Sequence, residues 1–93
     1  MSSRILTLHP QGKQGVSIDL AKYNQVADTL REVLFDRELT FGELRSEIES
    51  RLNGRFDGSI GWYTTTIKLD LEARGEIERF GKSPQRLRIV SQN

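Results

Sequence analysis

The side chains in this 93-residue chain that can do chemistry do not assemble, by type and spacing, into a reactive set. Gly12-Lys13-Gln14 lacks the upstream glycine and the Ser/Thr of a phosphate-cradling loop, so Lys13 reads as a solvated loop lysine. Gly58-Ser59-Ile60-Gly61 is one residue too short for a nucleophile elbow, and Ser59 suits a helix cap better. The carboxylate pairs Glu47/Glu49 and Glu76/Glu78 lie in charged stretches with no sign of the burial that a general acid needs to raise its pKa. His9 is the only histidine, which removes multi-histidine metal sites, and its place beside Pro10 at a strand end reads as structural. There is no cysteine, so disulfides and thiolate zinc sites are excluded, as suits a reducing cytoplasm. The expectation is a cytoplasmic protein that is no enzyme and needs no cofactor or metal.

The basic residues are the remaining candidates. The formal net charge is +1, with six Lys/Arg against eight Asp/Glu in residues 1–50 and eight against five in residues 51–93. A basic second half is what a phosphate-facing surface requires. Arg55, Lys82, Arg86 and Arg88 lie in it, with Arg51 a further candidate, and Arg86 and Arg88 share a strand face opposite Glu76 and Glu78, where cross-strand pairing competes with phosphate contact.

Three helices and a hairpin must position these residues. Asp19 is a fitting N-cap for the first helix, with Ile18 and Tyr23 at hydrophobic-staple spacing, and Tyr23, Val26, Ala27, Leu30, Val33 and Leu34 then form one apolar face ending near Phe35 or Asp36. Thr40 and Glu43 spell a capping box for the second, staple residues Leu39 and Leu44 flank it, and Leu44, Ile48 and Leu52 form its stripe up to Asn53-Gly54. The third starts within Asp57-Gly58-Ser59, its cap either Asp57 or Ser59, and ends at Gly75, with Ile60, Ile67 and Leu71 inward. Residues 76–80 and 86–90 read as strands joined by Gly81-Lys82-Ser83-Pro84-Gln85, with Ile77, Leu87 and Ile89 inward, and Arg4 to Leu8 has strand character ahead of Pro10. Ninety-three residues fit one domain: strand and loop over 1–17, helices over 18–75 and hairpin over 76–90. The apolar fraction is 35%, and the N-terminal residues form neither a signal peptide nor a membrane span.

This order is that of an α+β winged helix-turn-helix: a three-helix bundle with a two-stranded wing and an extra N-terminal strand. Leu71, Gly75 and Ile77 within Ile67–Arg79 resemble the third-helix-to-wing segment of winged-helix regulators. His9-Pro10-Gln11-Gly12-Lys13, Asp57-Gly58-Ser59-Ile60-Gly61-Trp62-Tyr63 and Pro84-Gln85-Arg86-Leu87-Arg88 resemble a small family of uncharacterised bacterial proteins. That resemblance spans His9 to Val90 and implies a winged-helix-like fold with no activity attached.

Two functions follow as expectations. In the first, the third helix enters the major groove of double-stranded DNA, as in a transcription regulator. Gly61, Thr65 and Lys68 would lie on its solvated face beside Glu72, with the wing around Lys82 on the backbone. In the second, the protein is an interaction or dimerisation module without DNA binding. Trp62, Leu69 and Ala73, with Thr66 beside them, lie opposite the core stripe, so this second apolar side is covered by Ile5–Leu8 or the first helix, or meets a second copy or another protein.

Overall fold

Each helix starts where a side-chain oxygen satisfies a backbone N–H that the helix leaves without a partner. In the computed structural model, which describes residues 3–90, the Asp19 carboxylate accepts from the Lys22 N–H at 3.1 Å and opens α1, Leu20–Leu34. The first two and last three residues of the expected 93-residue domain lie outside the described residues. Thr40 and Glu43 close the capping box at the head of α2, Phe41–Leu52: the Glu43 N–H donates to Thr40 Oγ1 at 3.2 Å and the Thr40 N–H to Glu43 Oε1 at 2.9 Å. Ser59 caps α3, Ile60–Ala73, by accepting from the Trp62 N–H at 3.2 Å. Asp57, the other possible cap, instead faces Lys22 at 3.8 Å.

The end of α3 is set by Gly75. Its φ of +79° is open to glycine and costly for any side chain. That turn lets the Glu76 N–H reach back to the Leu71 carbonyl at 3.0 Å and the Gly75 N–H to the Glu72 carbonyl at 3.1 Å. These are the two bonds of a Schellman motif, and they aim the chain directly into the next strand.

Two small antiparallel sheets complete an α+β architecture. β1 (Arg4–Leu6) pairs with β2 (Ser17–Asp19), Ile5 opposite Ile18. β3 (Leu39–Thr40), β4 (Ile77–Phe80) and β5 (Arg86–Ile89) form the second sheet in the order β3-β5-β4, with Leu39 opposite Leu87 and Glu78 opposite Arg88. The expected two-stranded hairpin is thus a three-stranded sheet, because the residues ahead of the α2 cap pair with β5.

The core lies where these elements meet. Val26, Leu30, Val33 and Leu34 of α1 pack with Leu44 and Ile48 of α2, Ile67 and Leu71 of α3, and Ile77 and Leu87 of the sheet. Burying each such side chain stabilises the fold by roughly 1.5–3 kcal/mol before the entropy of ordering is counted. Two expectations are corrected here. Ile89 shares the face of Leu87 and Ile77 by the alternation along β5, but it is more than a third exposed, at the edge of the open grooves lined by Arg86 and by Phe35. Ile60, at the first turn of α3, is only partly buried.

Candidate functional site

α3 packs against α1, α2 and β4, and its sides do different things. Thr64, Ile67 and Leu71 point inward and are fully buried. The flank toward α2 and β4 carries Gly61, Lys68 and Glu72. Lys68, expected on a solvated face, is only 9% exposed. Its ammonium lies 3.1 Å from Glu72 Oε1 and over the Phe41 ring at 5.3 Å. Arg79 of β4 reaches the same oxygen at 3.2 Å. The buried Glu72 carboxylate therefore has two cations in contact and no hydrogen bond of good geometry. Gly61 faces α2 rather than open solvent: a Cβ placed there would come within 2.6 Å of Arg45 Nη2. Arg45 is itself paired with Glu49 at 2.9 Å.

The opposite flank is built on Asp70, which is 0% exposed. One carboxylate oxygen accepts the Leu8 N–H at 2.8 Å. The other accepts the Tyr23 hydroxyl and Arg74 Nε, the latter at 2.8 Å. Burial, reinforced by the hydrogen bond to Asp70, holds the Tyr23 phenol well above its ordinary pKa. The hydrogen bond to Asp70 raises the Arg74 pKa against a smaller effect of burial. Arg74 Nη2 also reaches the Leu6 carbonyl at 3.5 Å. Asp70 and Arg74 thus occupy backbone groups at the end of β1 and just past it, the Leu6 carbonyl and the Leu8 N–H.

What remains outward on α3 is Trp62, Thr65, Thr66, Leu69 and Ala73. The Thr65 hydroxyl bonds back to the Gly61 carbonyl at 3.0 Å. Trp62 is 46% exposed and meets Tyr63 edge-on at 5.0 Å between centroids. Leu69 and Ala73 are partly covered. The expected interaction residues Trp62, Leu69 and Ala73 therefore share one face with Thr65, while Lys68 and Gly61 belong to the α2 flank.

The other expected basic residues do not converge. Lys82 stands exposed in the β4–β5 turn. Arg88 donates to Glu78 at 2.6 Å, approaches Glu38 at 3.5 Å and stacks on Phe80, its guanidinium 4.1 Å from the ring centroid. The expected cross-strand pair therefore forms for Arg88, whereas Glu76 pairs with Arg31 of α1 at 2.9 Å. Arg86 is exposed and, among the described residues, has no ion pair. Together with Arg37 and Arg88 it lines an open groove of about 560 Å³ that also holds Asp36 and Glu38. Arg55 lies past the far end of α2, about 18 Å of helix from the β3–β5 pairing at Thr40 and Arg86. Arg51 faces Glu47 and Glu32 at 3.8 Å each.

Sequence reasoning missed Asp70 and Arg45, and the pairing of Tyr23 with Asp70 and of Arg79 with Glu72. The i,i+4 pairs Lys68/Glu72 and Asp70/Arg74 carry a readable signal; their long-range partners carry none. His9 Nδ1 accepts from the Gln11 N–H at 3.1 Å and organises its loop. Among the described residues no three His, Asp or Glu side chains gather as metal ligands, and no helix is long and apolar enough to cross a membrane.

A protein family of unknown function, DUF6958, matches residues 4–87, and the chain belongs to that family. No curated protein and no solved structure matches.

Proposed function

We propose that this DUF6958 protein is a winged helix whose third helix meets the apolar surface of another polypeptide rather than the groove of DNA. The strand order β3-β5-β4, with the short β3 between α1 and α2, supports the winged-helix reading. One observation carries the functional reading: the charges that flank α3 are spent within the chain. Lys68 and Arg79 close on Glu72, Arg74 on Asp70 and Arg45 on Glu49. The face left outward is centred on a half-exposed tryptophan and carries no charged side chain. A duplex requires free cations to displace its counterions, whereas an uncharged aromatic face suits a protein interface.

A second reading, a DNA-binding regulator, is favoured by Lys82 and Arg86, both exposed and free of ion pairs among the described residues. A titration with mixed-sequence duplex at low salt separates the two. No shift is expected across the roughly 1–100 µM range in which non-specific DNA binders associate. Saturable binding that weakens with salt and is lost in K82E/R86E would overturn the first reading and establish the second.

A further inference from the structure

We draw no further inference here: the strongest candidate, the open apolar groove of about 350 Å³ that Phe35 just past α1 forms with Ile77, Ile89 and Val90 beside the Arg31–Glu76 ion pair, is an unpartnered face, and nothing in the structure shows what covers it.

Discussion

Asp70 and Glu72 are buried carboxylates two residues apart on one helix, and the fold neutralises them in different ways. Asp70 accepts hydrogen bonds from a backbone N–H, a phenol and a guanidinium. Glu72 has two cations within 3.2 Å and no such bond. The first arrangement fixes positions, because hydrogen bonds are directional and their donors come from α1, from Leu8 just past β1 and from α3 itself. The second fixes charge. It removes Lys68 and Arg79 from the surface while leaving their exact placement loosely specified. One flank of α3 thus orders the N-terminal hairpin, and the other silences the helix electrostatically.

This difference ranks the expected mutational effects. Asp70→Ala should be the most damaging, at about 3–5 kcal/mol, because it strands the Tyr23 hydroxyl and the Leu8 N–H and frees Arg74. Denaturant unfolding measures it, and a cost below that of the Glu72 variant would break the comparison. Tyr23→Phe should cost roughly 1–3 kcal/mol, having removed one donor from a buried acceptor. It should also change the alkaline limb of the stability profile. The folded-state pKa of Tyr23 is raised, so its contribution is complete below the unfolded value near 10 and fades as pH climbs above it. Thermal melts between neutral and strongly alkaline pH should show a fall that Tyr23→Phe flattens.

Glu72→Gln should cost less, roughly 1–2 kcal/mol, because the long Lys68 side chain can turn its ammonium to water once unpaired. Thr40→Ala, at about 1 kcal/mol, is the mildest. It loosens the first turn of α2 and with it Phe41, on which the Lys68 ammonium rests. The hydrogen bonds from the Thr40 backbone and hydroxyl hold the Glu43 carboxyl below the usual glutamate range. Its contribution is therefore present above the unfolded pKa and lost as pH falls through the depressed folded value. Acid melts of the wild type and Glu43→Gln should converge there. Tyr23 and Glu43 thus lose their contributions at opposite ends of the pH scale.

How legible these features were follows from how local they are. Asp19, Thr40 with Glu43, and Gly75 act within a few residues of themselves, so the helix starts and the Schellman end were readable. β3 was not, since two residues have no alternation to detect and exist as a strand only through pairing with β5. The candidate site split the same way. Helical angle alone puts Lys68 at the edge of the solvated face. It cannot foresee Phe41 and Arg79 arriving from α2 and β4 to enclose it. Trp62, Leu69 and Ala73 were readable as a second apolar side. The hold of Asp70 on the N-terminal segment was not, because it depends on a bond between residues 62 apart in sequence.

Trp62 is the chain's only tryptophan, which makes the central claim directly observable. Its emission and its quenching by acrylamide, followed with and without duplex DNA, report whether a duplex covers the α3 face. At low salt and fixed protein concentration, added duplex is expected to leave both emission and quenching unchanged. A blue shift with falling quenching on adding duplex would contradict the account.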